Sequence, residues 1–187
     1  MTEAVVIGAS AGAVEALSTL LPALPADFTA AVLIVVHQPP ARKSMLPELF
    51  RGKCRLRVTE GEDKEPIHRG RVYFAPPGYH MLVEANRTLS LAGDEPIFFS
   101  RPSIDVLFES AADAYASQLA ALILTGASQD GANGLAAVLR AGGHGVILRP
   151  EAAHAATLPE AAMARCPEAP VLTLAEIASW LQKLGTP

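Results

Sequence analysis

The chain has 187 residues, half of them hydrophobic and 18% charged, which fits one globular domain over 1–187 and excludes a disordered or fibrous protein. Its 15 Lys and Arg against 19 Asp and Glu give a formal charge of −4, so no broad cationic face is available for nucleic acid or anionic lipid. No apolar run is long enough to span a bilayer, the start MTEAVVIGAS lacks a basic export signal, and Cys54 and Cys166 have no metal-type spacing. These features predict a cytoplasmic protein with reduced thiols and no membrane insertion.

Short apolar runs followed by helical patterns recur along the chain. AVVIG (4–8) leads through a small-residue turn to AVEALSTLL (13–21), which Pro22 stops. AAVLIVV (30–36) leads through HQPP to KSMLPELF (43–50). TEGEDKEPIHRG (59–70) reads as a polar loop. RVYFAPPGYHMLVEANRTLSLAG (71–93) holds strand-like runs with no helix between them and reads as an antiparallel excursion at a sheet edge. RPSIDVLFESAADAY (101–115) is a helix with Ile104, Leu107, Phe108 and Ala111 facing inward. AALILTG (120–126) leads to GANGLAAVLRAGG (131–143), and GVIL (145–148) and PVLT (170–173) are further strands. Thr173 and Glu176 form a capping box before LAEIASWLQKL. Continuous apolar strands alternating with helices predict a doubly wound α/β/α sandwich, its sheet mostly parallel, with the antiparallel excursion at the edge.

The turn Gly8-Ala9-Ser10-Ala11-Gly12 fits the nucleophile-elbow pattern Gly-x-Ser-x-Gly. A phosphate-binding turn and a purely structural one are the alternatives on these letters. The dinucleotide pattern fits poorly, because Ser10 and Ala13 stand where its second and third glycines belong, and the second strand ends in His37-Gln38 rather than an acid.

A serine nucleophile needs a base, and the base an orienting acid. Open α/β sheets place such groups at the carboxyl ends of strands. There the chain offers Ser10 after 4–8, His37 after 30–36, and Asp130 beside Gly131 after 120–126. Other histidines fit less well. His68 lies in a charged loop, His144 precedes a strand and faces the opposite end, and His154 follows a strand on a long loop. His80, in PPGYHM, is a candidate pocket residue. Asp130 also reads as an ordinary turn or cap residue.

At these residues the sequence resembles the chemotaxis protein-glutamate methylesterase family, the CheB-type catalytic domain. The resemblance rests on VVIGASAGAVEAL, IVVHQPP, GRVYFAPPGYHMLVE, RPSIDVLFESAA and LILTGASQDGANGLAAVLRAGG, five blocks in order over nearly the whole chain. It implies hydrolysis of γ-glutamyl methyl esters on methylated chemoreceptor helices or a similar methylated protein, with release of methanol, and in some members deamidation of glutamine. It implies Ser10, His37 and Asp130 as the catalytic triad, and oxyanion or pocket groups at Ala11, Gly12 and Ala127. No metal or organic cofactor is expected. The family turn commonly carries a threonine where this chain has Ala11, and a methionine where it has Ala127. Those departures leave room for a weakened enzyme or a partner-binding module. Most members also carry an N-terminal receiver domain, whereas here the first catalytic strand stands at the start, which implies an esterase without phosphorylation control in the chain and leaves a substrate outside chemotaxis as an alternative.

Overall fold

The computed structural model describes residues 1–39 and 44–184. In chain order the elements are β1 (Ala4–Ala9), α1 (Ala13–Leu20), β2 (Ala31–Val36), α2 (Leu46–Arg51), β3 (Arg57–Glu60), β4 (Arg71–Phe74), β5 (His80–Val83) and β6 (Leu89–Ala92). Then come α3 (Ile104–Tyr115), β7 (Leu119–Ile123), α4 (Ala132–Arg140), β8 (His144–Leu148), α5 (Thr157–Arg165), β9 (Val171–Leu172) and α6 (Leu174–Leu184). The start of the helix expected over 43–50 falls partly outside the described residues.

Seven strands form one parallel sheet in the order β3-β4-β2-β1-β7-β8-β9. The central strands are apolar throughout because both faces are covered. Along β1, Val5, Ile7 and Ala9 join one core with Leu17 and Leu20 of α1, Phe50 of α2 and Ile177 of α6. Ala4 and Val6 face the other, with Leu107 and Phe108 of α3, Leu135 of α4 and Leu158 of α5. That period-2 split is what makes three layers. The capping box forms: Thr173 N–H donates to Glu176 Oε2 at 2.8 Å, just before α6.

The 71–93 segment divides differently from the expectation. Its first run is β4, a parallel strand second from the sheet edge, while β5 and β6 pair antiparallel as a separate two-stranded sheet. The edge belongs to β3, which the polar character of 59–70 conceals. Arg57 is exposed and Thr59 and Glu60 are half-buried there, with Val58 alone turned into the core, as suits an edge strand. The stretch after β8 is also less open than expected, because α5 begins only three residues beyond His154.

Chain order reverses at β1: later strands add on one side through β2 and on the other through β7. The carboxyl ends of these strands form the switch-point crevice of a doubly wound sheet, the customary place for a ligand. Ser10, His37 and the 125–130 turn all lie there.

Candidate active site

Ser10 follows β1 directly and is held by backbone on both sides. Its N–H donates to the Thr125 carbonyl at 2.8 Å, and its carbonyl accepts from Ala13 N–H at 3.0 Å. The turn differs from a strained elbow. Ser10 is not among the residues with positive φ; the left-handed position is Gly12, at φ 83, which caps α1. A side chain at Gly12 would also strike His154, whose Cβ lies 2.4 Å from where that Cβ would be. Gly8 serves a close approach of a different kind: a Cβ there would come within 2.4 Å of the Ile104 side chain. The first glycine of the motif therefore admits the N-terminus of α3 against β1.

His37 extends the neighbouring strand, and its N–H donates to the Ala9 carbonyl at 3.1 Å, one residue before the serine. Its ring Nε2 lies 2.8 Å from Asp130 Oδ2. Asp130 is fully buried, and its carboxylate also accepts from Ser103 Oγ (2.8 Å), Ile104 N–H (2.7 Å) and Asp105 N–H (3.0 Å). The N-terminus of α3, with its partial positive charge, thus grips the acid that orients the histidine. With Nε2 engaged by Asp130, Nδ1 is the ring nitrogen left to accept a proton from a serine. Among the described residues the Ser10 hydroxyl makes no hydrogen bond.

The carboxylate exchange is reciprocal. Asp105, in the first turn of α3, accepts through Oδ1 from Gly131 N–H at 2.9 Å and Gly134 N–H at 2.6 Å, at the start of α4. Each helix therefore supplies the acid that satisfies the other's orphan donors. Sequence reasoning missed Ser103 and Asp105. Burial pushes the Asp105 carboxyl up to about 6, opposed by the Gly134 N–H and reinforced by the nearby Asp130 carboxylate.

A raised pKa in the fold means that the native state holds an extra proton between about pH 4 and about pH 6. This group's contribution to stability therefore falls as pH rises through that window. Asp105→Asn keeps an acceptor at Oδ1 and removes the charge. Relative to the parent, the variant should gain stability from pH 4 to pH 7, read as a rising difference in urea midpoint. A midpoint difference constant over that range would contradict this account.

The other expected site residues are placed as follows. Ala11 is exposed, and its carbonyl accepts from Thr125 Oγ1 at 2.8 Å. Ala127 is exposed in the 125–130 turn. Among the described residues, neither Ala11 N–H nor Ala127 N–H donates to a protein acceptor. Gly126 packs against the serine: a Cβ there would sit 2.9 Å from Ser10 Cβ.

His80 departs from its expected role as a pocket residue. It is 2% exposed, its Nδ1 accepts from Ser103 N–H at 3.1 Å, and its Nε2 therefore donates to the Glu95 carbonyl at 3.1 Å. Both ring nitrogens are spent on bracing the start of α3. His68 and His144 are exposed, His144 at the opposite end of the sheet.

A groove of about 310 Å³ opens beside His37, lined also by Gln38, Pro39, Pro96, Phe99 and Arg101. On the far side of the Ser10 turn a smaller cavity of about 190 Å³ is lined by Gly12, Glu15, Thr125 and His154.

Fold and site together define a doubly wound α/β protein with an acid–histidine pair at its switch point, next to a serine-bearing turn. Residues 5–181 match the CheB methylesterase family, and the chain belongs to that family. It is 41% identical over 97% of its length, and 94% of the relative's, to a putative protein-glutamate methylesterase/protein-glutamine glutaminase of Leptospira interrogans. It is 40% identical to the protein-glutamate methylesterase/protein-glutamine glutaminase of Symbiobacterium thermophilum over 74% of this chain, which is only 38% of that longer protein. The crystal structure of the CheB methylesterase catalytic domain of Thermotoga maritima superposes with a TM-score of 0.93 at 30% identity, covering 98% of this chain and 99% of that one. Among the described residues no helix is long and apolar enough to cross a membrane.

Proposed function

We propose that this chain is a serine hydrolase that removes methyl groups from γ-glutamyl methyl esters of methylated chemoreceptor helices and also deamidates receptor glutamines. The observation that carries the reading is the 2.8 Å bond from His37 to a buried Asp130 at the strand tips where Ser10 emerges. Ser10 Oγ attacks the ester carbonyl while His37 Nδ1 takes its proton. Asp130 accepts Nε2–H and stabilises the imidazolium that forms. The N–H groups of Ala11 and Ala127 donate to the oxyanion. The tetrahedral intermediate collapses, His37 returns the proton to methoxide, and methanol leaves. Water, deprotonated by His37, then releases the glutamate carboxylate and restores Ser10. The free thiols Cys54 and Cys166 fit a reducing compartment, and we place the protein in the cytoplasm. The test is methanol release from a receptor fragment carrying glutamyl methyl esters: the purified chain should release it, and no release above background would refute the reading.

Ala11 sets the expected pace. It supplies a backbone donor but no hydroxyl at the rim of the oxyanion site, so turnover should be slow. Losing a central donor costs roughly 10²–10³ in rate, and a peripheral hydroxyl less. Ala11→Thr, at an exposed position with room for the side chain, should raise kcat several-fold with KM little changed. A folded Ala11→Thr protein with kcat equal to or below the parent's would reject the missing-hydroxyl idea.

A further inference from the structure

Between β6 and α3 the chain makes a tight two-residue hairpin. Ile97 and Ser100 exchange both backbone hydrogen bonds, at 3.0 and 2.8 Å, and Phe98 and Phe99 form the tip. Both tip residues are left-handed, at φ 46 and φ 62. Turns of this shape favour Asn-Gly, and a bulky aromatic there is conformationally costly. Neither phenylalanine contributes to a core: Phe98 is 48% exposed and Phe99 is fully exposed. Gly78 donates its N–H to the Arg101 carbonyl at the hairpin's foot. Arg101 Nη1 fixes that foot through 2.7 Å bonds to the Gly93 and Asp94 carbonyls. The aromatics are thus displayed at a hairpin tip braced at its foot and belong to neither core.

Their position relates them to the chemistry. Phe99 shares the 310 Å³ groove with His37. Phe98 shares a second groove, about 340 Å³, with Asn133, Arg165 and Gln129, the last of these next in sequence to Asp130. The tip therefore divides two grooves that flank the acid–histidine pair. In a glutamyl ester only two methylenes separate the ester carbonyl from the backbone. A polypeptide that brings its ester to the groove beside His37 meets Phe99 on the wall of that groove, whereas a free small ester need not reach it.

We propose that the Phe98–Phe99 tip anchors the polypeptide substrate, seating apolar side chains beside the esterified glutamate in the two flanking grooves and so selecting esters carried on a helix over free ones. The inference rests on the methylesterase reading. Aromatic side chains are effective anchors, because they bury large area with little loss of side-chain entropy.

The test uses Phe98→Asn/Phe99→Gly, which installs the residues such a turn prefers and should leave the melting temperature equal or higher. Two substrates are compared: a helical peptide with one glutamyl γ-methyl ester flanked by leucines, and N-acetyl-glutamate γ-methyl ester α-amide. The variant should raise KM for the peptide by about 10-fold or more, as loss of two anchors predicts, and leave the small ester's kcat/KM unchanged. An unchanged peptide KM in an enzyme that still hydrolyses both esters overturns the anchor alone. Equal slowing on both esters also overturns it. A parent chain that hydrolyses neither ester overturns the methylesterase reading and the anchor with it. Should the double variant not fold, Phe99→Asn at the fully exposed position carries the same comparison.

Discussion

A Ser10→Ala protein is expected to fold as the parent does and to lose about 10⁶ in turnover, the scale seen when a serine nucleophile is removed from a triad acting as a unit. Normal folding is expected because the Ser10 hydroxyl makes no hydrogen bond among the described residues, and the turn is held by backbone contacts to Thr125 and Ala13 that alanine keeps. The melting temperature should therefore move little, since substitutions that touch no such feature usually stay within about 0.5 kcal/mol. Methanol release and unfolding measured on one preparation check both halves. A Ser10→Ala chain that hydrolyses glutamyl methyl esters at the parent rate would place the chemistry at another residue.

Asp130→Asn should cost on the order of 10⁴ in kcat, by comparison with the same change in serine proteases. In the parent the carboxylate accepts Nε2–H and leaves the Nδ1 lone pair free for the serine proton. Asparagine has one acceptor oxygen, and the donors of Ile104, Asp105 and Ser103 compete for it. Its amide then faces Nε2 as a donor and drives the ring hydrogen to Nδ1, the wrong side. The same substitution should also destabilise the fold, since a buried donor left unmatched at the start of α3 costs about 1–3 kcal/mol. Turnover is therefore read at a temperature where circular dichroism shows the variant folded. A folded Asp130→Asn enzyme within tenfold of the parent's kcat would remove Asp130 from the machinery.

Much of this arrangement was legible in the sequence. Ser10, His37 and Asp130 stand at the ends of three apolar runs, and apolar runs interleaved with helical patterns imply a parallel sheet whose strand tips share one edge. The Thr173–Glu176 cap and most of the helix expected over 101–115, which begins only at Ile104 after the cap Ser103, were legible because both signals are local. What escaped depends on tertiary context. β3 (Arg57–Glu60) runs into the polar stretch that reads as loop from residue 59, and its pairing with β4 is visible only in three dimensions. Asp105 reads as an ordinary acid in a helix's first turn, yet burial against α4 makes it the partner of Asp130's own helix. A serine at the start of a helix with an acid two places on was the available signal, and many solvated helix starts share it. His80 misled for the opposite reason. A histidine after a Pro-Pro-Gly turn suggests a pocket, while the fold spends both its nitrogens under α3.

The central claim, that Ser10 is the nucleophile of an acyl-transfer reaction supported by His37 and Asp130, is tested most directly by trapping the intermediate. The purified chain is mixed with a peptide carrying a glutamyl methyl ester, quenched in acid within a single turnover, digested and examined by mass spectrometry. The account predicts a glutamyl adduct on the peptide that contains Ser10, absent from Ser10→Ala and appearing together with a burst of methanol. An adduct on a different residue, or methanol released by Ser10→Ala with the same burst, would contradict it.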